Sequence, residues 1–248
     1  MEGYDASTYG EAIAEEYDRL YDGMFDVDST VEFLAREAGK EPVLELGIGT
    51  GRIALPLAGR EVEVHGVDSS AAMVAKLRAK PGGTDIPIKL GDFGRVNLGG
   101  PYSVVFVAFN TLFALTTKET QVECFRNVER ALSPTGVFVI EAFVPDLTRF
   151  DREQRVQVND IAVDHAWLDV SRHDTAAQTI QSQHIRVSES GIRMFPVSLR
   201  YAWPSELDLM AERAELRLRY RFGSWTREPF TESSGGHVSV YEKASVPE

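Results

Sequence analysis

Short apolar runs alternate with amphipathic segments through the first 145 residues of the chain. The runs at 43–46, 62–67, 86–90, 104–109 and 137–143 have the length of β-strands. Continuous apolar runs of this length are typical of strands buried on both faces, as in a parallel sheet with helices on either side. This part of the chain is therefore predicted to be an α/β sheet with helices covering both faces.

Two amphipathic segments between these runs carry helix signals. Ser29 and Glu32 form a capping box for a helix that runs through Ala38, and Thr116 with Glu119 starts a second helix. Apolar residues recur on one stripe of the second segment, at positions 122, 125, 128 and 132. Both segments are predicted to be crossover helices. Cys124, the single cysteine, lies in the second one and is predicted to be a buried, reduced thiol.

The pattern changes after residue 145. Between residues 154 and 203, apolar and polar residues alternate with a period of two, and turn signals occur at 174 and 188–191. This segment is predicted to be an antiparallel insertion. Pro204 then opens a helix to about residue 215, and alternating strands at 216–222 and 238–242 would form a hairpin at one edge of the sheet.

The charge balance narrows the range of partners. The chain has 26 Lys and Arg against 38 Asp and Glu, a formal net charge of −12, which repels polyanions and argues against nucleic acid. The longest apolar run, at 104–109, is far shorter than the ~20 residues of a membrane span. Because the first residues also lack a basic leader pattern, the chain is predicted to be soluble and cytoplasmic, with a small-molecule partner.

A glycine-rich loop follows the first predicted strand, with the sequence Glu45-Leu-Gly47-Ile-Gly49-Thr-Gly51-Arg52. Glycines spaced two apart at a strand-to-helix turn let the backbone approach a ligand closely. A dinucleotide fingerprint would need glycine at position 52, where Arg52 stands. The loop also lacks the Lys-Ser/Thr pair of a nucleoside triphosphate site.

Polar side chains follow the next strands along the chain. Asp68 lies seventeen residues after Gly51, where an acid can accept both ribose hydroxyls of a nucleoside. Asp92 and Phe93 follow the third strand and could bind an adenine, while Asn110 follows the fourth. All of them fall at carboxyl ends of parallel strands, where open α/β sheets bind ligands.

Together these motifs resemble those of class I S-adenosylmethionine-dependent methyltransferases. Four other features are similar to those of bacterial aminosugar N-methyltransferases and peptide N-methyltransferases. They are the Tyr17-Asp-Arg-Leu-Tyr21 segment, the Asn110-Thr-Leu-Phe113 segment, the inserted β layer and the Ser-rich turn before the final strand. The resemblance implies an α/β, three-layer, Rossmann-like methyltransferase fold: a mostly parallel seven-strand sheet with a C-terminal antiparallel hairpin and an inserted antiparallel β lid.

Within one domain, 1–248, the resemblance divides the chain into four parts. Residues 1–40 would form an N-terminal helical cover, 41–150 the cofactor-binding core, 151–203 the inserted β lid, and 204–248 the last helix and terminal hairpin. The implied cofactor is S-adenosyl-L-methionine. The cofactor-binding residues that match the motifs are Tyr17, Gly47, Gly49, Gly51, Asp68, Ser69, Asp92, Phe93 and Asn110.

Catalysis of methyl transfer needs a desolvated nucleophile held close to the methyl group, and a hydroxyl acceptor also gains from a general base. Among the five histidines, His165 is the first choice for that base because Asp164 could orient it and Trp167 could wall the site. Tyr21 and Glu141 are the other catalytic candidates, although Tyr21 could be part of a helix-packing stripe and Glu141 a structural acid. No metal-ligand spacing is evident.

The predicted function is S-adenosylmethionine-dependent methyl transfer to an amine or hydroxyl of a small metabolite. A peptide N-methyltransferase and a non-catalytic adenosyl-binding module are the alternatives. The expected partner is a small-molecule acceptor, without nucleic acid or membrane, and the protein is expected to be a monomer or homodimer.

Overall fold

The computed structural model describes residues 1–244, which form a seven-stranded sheet and a four-stranded sheet. The helices are α1 (Thr8–Ile13), α2 (Tyr17–Leu20), α3 (Val27–Glu37), α4 (Ala54–Ala58), α5 (Ala71–Arg78), α6 (Lys118–Ala131) and α7 (Pro204–Glu212). The strands are β1 (Val43–Leu46), β2 (Val64–Asp68), β3 (Ile88–Leu90), β4 (Tyr102–Val107), β5 (Leu132–Phe143), β6 (Gln154–Ile161), β7 (His165–Asp174), β8 (Thr179–Ser188), β9 (Gly191–Arg200), β10 (Leu216–Phe222) and β11 (Gly236–Lys243).

The larger sheet has the strand order β10-β11-β5-β4-β1-β2-β3. Strands β1 to β5 pair in parallel, whereas β11 runs antiparallel to both β5 and β10. The predicted α/β fold and its terminal hairpin at one edge are confirmed. The last four residues of the predicted final segment, 245–248, lie outside the described residues.

The core occupies both faces of this sheet, as the continuous apolar strands predict. Strand β4 is buried along its whole length. Phe113 and Phe125 pack with α6 and α7 on one face, and Phe33 and Phe106 pack with α3 and α4 on the other. Cys124 on α6 is fully buried in the first of these clusters.

The caps of α3 and α6 lie three residues and one residue from the predicted ones, whereas α7 begins at Pro204 as predicted. Helix α3 is capped by Asp26, whose carboxylate accepts a hydrogen bond of 3.0 Å from the Ser29 amide. Ser29 is therefore a helical residue, because an earlier acid supplies the capping oxygen. Helix α6 is capped by Thr117, which accepts from the Thr120 amide at 3.1 Å.

The four-stranded sheet is an antiparallel meander in the order β6-β7-β8-β9, as predicted for the insertion. Its outer face is apolar and exposed: Val156 is 71% exposed, Ile192 67% and Met194 53%, and the register aligns Val156 with Val170 and Val187 with Ile192. Its inner face turns toward the carboxyl ends of the larger sheet. Within residues 1–244, no helix is long and apolar enough to cross a membrane.

A buried polar network joins the four-stranded sheet to the helices of the core. The Arg200 guanidinium donates to the Gln121 side chain at 2.7 Å and to the Glu206 carboxylate at 2.7 Å. The Gln121 amide in turn donates to the Arg200 carbonyl at 2.7 Å. Because each buried polar group has a partner, the end of β9 is fixed against α6 and α7.

Candidate active site

The glycine loop between β1 and α4 bends through left-handed backbone conformations. Gly47 has a φ of +74°, and a Cβ there would lie 2.5 Å from the Thr111 methyl carbon. Glycine at 47 therefore lets the loop close against the 3-10 helix Thr111–Ala114. Glycine at 51 allows a different close approach, to α5, because a Cβ there would lie 2.8 Å from the Leu77 side chain.

Asp68 ends β2 directly beside this loop and is buried. Its carboxylate accepts from the Gly49 amide at 2.7 Å and from the Ser70 amide at 2.8 Å. Burial raises the pKa of Asp68 in spite of these hydrogen bonds. The next side chain, Ser69, donates to the Ala6 carbonyl at 2.7 Å and so ties the N-terminal segment to the site.

A cavity of about 330 Å³ lies over the carboxyl ends of β1, β2 and β4, and it is called here the first cavity. The N-terminal segment and the inserted sheet form its other walls. Of the residues predicted from the sequence, it is lined by Tyr17, Tyr21, Gly47, Gly49, Asp68, Ser69, Phe93 and Asn110. The ends of three separate strands thus border one cavity.

Two consecutive left-handed residues shape the floor of the first cavity after β4. Phe109 has a φ of 53° and Asn110 a φ of 62°. The Glu141 carboxylate accepts from the Phe109 amide at 2.8 Å, and the Asn110 side chain accepts from the Phe143 amide at 2.6 Å. This reciprocal pair of hydrogen bonds holds a turn that non-glycine residues rarely adopt.

An aromatic wall closes one side of the first cavity and surrounds the guanidinium of Arg52. The guanidinium carbon lies 4.8 Å from the Tyr17 ring centre, 5.4 Å from Tyr21, 4.9 Å from Phe25 and 4.8 Å from Phe109. Cation–π attraction stabilises a cation in such a box. Both terminal nitrogens of Arg52 are buried and have no hydrogen-bond partner among the described residues.

Glu45 lies under the same loop and carries a second unpartnered polar group. Its side chain is buried, and one carboxyl oxygen has no hydrogen-bond partner within residues 1–244. Burial and then the charge of Asp68 raise the pKa of Glu45 well above its usual value. A carboxyl group whose protonated form is favoured and a guanidinium therefore lie beside the glycine loop, each with polar atoms that lack hydrogen-bond partners among the described residues.

The tyrosines of the N-terminal segment are linked to one another. The hydroxyls of Tyr9 and Tyr21 are 2.7 Å apart, and the rings of Tyr17 and Tyr21 are 4.9 Å apart. Burial raises the pKa of Tyr17 to about 12 and also raises that of Tyr21. Both phenols thus stay protonated at neutral pH and can donate hydrogen bonds.

His184 of β8, rather than His165, lines the first cavity. Its Nδ1 lies 2.5 Å from a carboxylate oxygen of Asp169, the residue directly opposite on β7. His165 starts β7 and contacts Asp164 at 2.8 Å and Asp160 at 3.1 Å, away from the cavity. The insertion therefore brings a paired histidine and aspartate to the cavity wall.

A second cavity, of about 320 Å³, adjoins the first between the inner face of the inserted sheet and the segment after β5. The two cavities share Asn110, Phe143, His184, Val197 and Leu199 as lining residues. The pair of His184 and Asp169 therefore lies at the junction between a space bounded by the glycine loop and a space bounded by the insertion.

Comparison with known proteins identifies the kind of enzyme that has this site. A family model described as a methyltransferase domain matches residues 43–136. Cypemycin N-terminal methyltransferase from a Streptomyces species is 26% identical, over 96% of this chain and 99% of that protein. The solved structure of the CcbJ methyltransferase from Streptomyces caelestis is 44% identical with a TM-score of 0.92, over 98% of this chain and 100% of that chain. The chain belongs to the class I S-adenosylmethionine-dependent methyltransferases.

The methyltransferase shares its fold with more distant enzymes too. CalS10, an amino pentose methyltransferase from Micromonospora echinaspora, has a TM-score of 0.67 at 20% identity, over 92% of this chain and 96% of that one. At that identity the match shows the fold alone. The predicted family and enzyme class are confirmed, and a non-catalytic adenosyl-binding module is not supported.

Four residues that the sequence predicted for the site lie outside the first cavity of the methyltransferase. Gly51 packs on α5, and Asp92 instead accepts from the Gly94 amide at 2.9 Å. Glu141 supports the Phe109 turn, and His165 is bound by exposed aspartates. Glu141 and His165 are thus directed to local partners, and neither side chain lines the first cavity.

Sequence reasoning also missed residues of the methyltransferase site. Arg52 served only to argue against a dinucleotide fingerprint, although its place directly after the last glycine was a usable signal. His184 was one of the five candidate histidines, but the sequence did not favour it over His165, because only the pairing of β7 with β8 sets it opposite Asp169.

Proposed function

We propose that this methyltransferase transfers the methyl group of S-adenosylmethionine to an amine of a small molecule held between the core and the inserted sheet. The observation that carries the proposal is the pair of His184 and Asp169 at the junction of the two cavities. An amine is favoured because cypemycin N-terminal methyltransferase acts, by its name, on an N-terminus.

The residues around the first cavity fit the cofactor. Asp68 would accept the ribose hydroxyls and Phe93 would pack on the adenine, with the glycine loop underneath. The unpartnered guanidinium of Arg52 is complementary to the carboxylate of the methionine moiety. The buried carboxyl group of Glu45 would be complementary to its ammonium, because a bound cation favours the ionised form of the acid. When bound, the cofactor supplies a methyl group on a cationic sulfur.

At the acceptor end, His184 would hold and deprotonate the amine. The 2.5 Å between Asp169 and Nδ1 is an ion-pair distance without hydrogen-bond geometry. A small rotation of either side chain would let Asp169 accept the Nδ1 proton, which would leave Nε2 as the free acceptor on the imidazole. Asp169 also attracts the ammonium form of the acceptor into the site. The reaction then needs only an unprotonated amine in line with the methyl group, because no covalent enzyme intermediate is required.

The aromatic wall would exclude water from this space. Tyr17, Tyr21 and Phe109 cover the glycine loop, and Phe143 separates the two cavities. A dry site raises the reactivity of a neutral amine, because the nucleophile no longer has to shed its hydration. Tyr21 can donate its hydroxyl proton within this wall and remains a candidate for positioning the acceptor.

The test compares two histidines of one sheet. Methyl-labelled S-adenosylmethionine is incubated with fractionated extract of the organism that encodes the enzyme, and the labelled product is followed with His184→Asn and His165→Asn variants. His184→Asn should lower kcat/KM by about a hundredfold, the usual contribution of a general base, with little change in S-adenosylhomocysteine binding. His165→Asn should keep full turnover, and equal effects of both substitutions would contradict the proposed role of His184.

A peptide acceptor is the second candidate, because the relative from Streptomyces is named for an N-terminus. The same experiment separates the two acceptors. Label in small, protease-resistant compounds supports the small-molecule acceptor, and label released by protease from larger material supports a peptide.

A further inference from the structure

The second cavity is acidic and imidazole-bearing at one end and cationic at the other. We infer that the acceptor, besides its amine, carries an anionic carboxylate or phosphate group that Arg149 and Arg155 bind. This inference rests on the proposed function, since it takes the junction at His184 as the place of the amine. Both arginines line the second cavity and neither lines the first.

Strand register sets the distance between the two ends. Arg155 on β6 lies opposite Ser171, and Asp169 lies two residues from Ser171 on the same face of β7. Diagonal neighbours of this kind are about 7–8 Å apart. His184 lies one strand further, opposite Asp169. Two strand spacings and an offset of two residues place the Cα atoms of Arg155 and His184 about 12 Å apart. Because the arginine side chain can cover part of that distance, the anionic group would lie within about 12 Å of the amine.

The positive charges of Arg149 and Arg155 have few carboxylates of the protein close to them. Within residues 1–244, no carboxylate lies within 4.0 Å of either guanidinium, whereas many other arginines of the chain form such pairs. Asp146 is the nearby acid, and its carboxylate accepts from the Thr148 hydroxyl at 2.6 Å and the Thr148 amide at 3.0 Å. At this end of the second cavity, two cations, Arg149 and Arg155, lie with one anion, Asp146. The local excess of positive charge, called here the positive mouth, stands on a protein with a net charge of −12.

The chemistry of this mouth fits an oxyanion. A guanidinium binds carboxylate or phosphate through two parallel hydrogen bonds, so arginine is suited to recognising either group. The strongly acidic remainder of the protein would repel an anionic acceptor, and a local positive mouth offsets that repulsion and orients the molecule. Phe150 and Leu199 line the cavity between the two ends and would pack against the acceptor's body.

The experiment uses three amines of equal chain length: 6-aminohexanoate, 6-aminohexyl phosphate and the neutral 6-aminohexan-1-ol. Their binding to the protein loaded with S-adenosylhomocysteine is measured by calorimetry. We expect at least one anionic probe to bind about tenfold more tightly than the neutral one, with a preference that weakens as salt is added. The tighter of the two anionic probes identifies carboxylate or phosphate as the group.

Variants then assign the preference to the arginines. Arg149→Gln combined with Arg155→Gln should abolish it, whereas Arg152→Gln, an exposed arginine that does not line the second cavity, should keep it. Equal binding of all three probes, no binding of the anionic probes, or a preference that survives in the double variant would overturn the inference. The His184→Asn variant separates this from the proposed function, because it should retain the anion preference while losing methyl transfer.

Discussion

Asp68 presents a buried carboxylate to the first cavity while its backbone partners hold the glycine loop. We predict that Asp68→Ala weakens S-adenosylhomocysteine binding by about 1–3 kcal/mol, because charged hydrogen bonds to the ribose are lost. Calorimetry measures the change, with Asp85→Ala, an exposed acid, as the control. Unchanged affinity in Asp68→Ala would contradict the prediction that the ribose binds beside Asp68.

Glu45 predicts a pH dependence of stability. Its pKa is raised in the folded protein, so folding takes up a proton, and the contribution of Glu45 to stability is full below its unfolded pKa. That contribution is lost as the pH rises through the folded pKa. Glu45→Gln should therefore unfold at a higher temperature than the wild type near neutral pH, with a gap that closes toward pH 4.

Thermal unfolding across pH checks this prediction. The exposed Glu232→Gln variant is the control and should follow the wild-type curve. Parallel curves for Glu45→Gln and the wild type would mean that folding leaves the pKa of the Glu45 carboxyl unchanged, which would contradict the prediction.

The two histidines show how far the sequence reaches at the residue scale. Period-two alternation places residues 165 and 169 on the same face of β7, so the predicted base, His165, lies on the same face of the strand as Asp169, although its predicted orienting acid was Asp164. Four residues along a strand are about 13 Å, however, and only the end near Asp169 meets the cavity. Asp68 was predictable because its role depends on a strand end, whereas His184 depends on pairing between strands.

The N-terminal helices and the inserted sheet are joined by one buried carboxylate at the element scale. Glu16 precedes α2 and is 7% exposed. It forms ion pairs with Arg186 of β8 at 3.4 Å, with Arg193 of β9, and with Arg19 at 2.5 Å. Arg186 and Arg193 lie directly opposite each other, and Glu16 offsets their mutual repulsion.

We predict that Glu16→Gln loosens this contact. The free energy of unfolding should fall by about 1–3 kcal/mol, because hydrogen bonds to charged groups are lost. Backbone amides of α1 and α2 should exchange hydrogen faster, as should those at the ends of β8 and β9. Glu15→Gln removes only an exposed pair with Lys76 and serves as the control. If the two variants exchange alike, Glu16 does not join these elements.

The sequence predicted the elements better than their connections. Apolar runs and alternation distinguished the parallel sheet from the insertion, because burial on two faces and on one face leave different patterns. The start of α3 moved to Asp26 because several residues before it could cap a helix. The ion pairs of Glu16 with Arg186 and Arg193 join residues that are 170 and 177 positions apart along the chain, and no local sequence pattern indicates such pairs.

At the scale of the whole molecule, the exposed outer face of the inserted sheet bears on the choice between monomer and homodimer. Contiguous apolar surfaces of this kind are rare on monomers, and a two-fold axis lets the same face serve both partners. We predict a homodimer that Ile185→Lys, in the middle of this face, converts to a monomer. Light scattering measures the mass. The control is Leu209→Lys, at an exposed leucine of α7 outside this face. A monomeric wild type would contradict the prediction.

Cys124 gives the molecule a chemical reporter of its own. The thiol is fully buried beneath the network of Gln121 and Arg200, and burial raises its pKa, so it is unreactive while the core stays closed. Because it is the single cysteine of the chain, the rate at which a thiol reagent labels the native protein reports how often the core around α6 opens. A ligand that binds only the closed protein should slow the labelling in proportion to its occupancy, without any engineered probe.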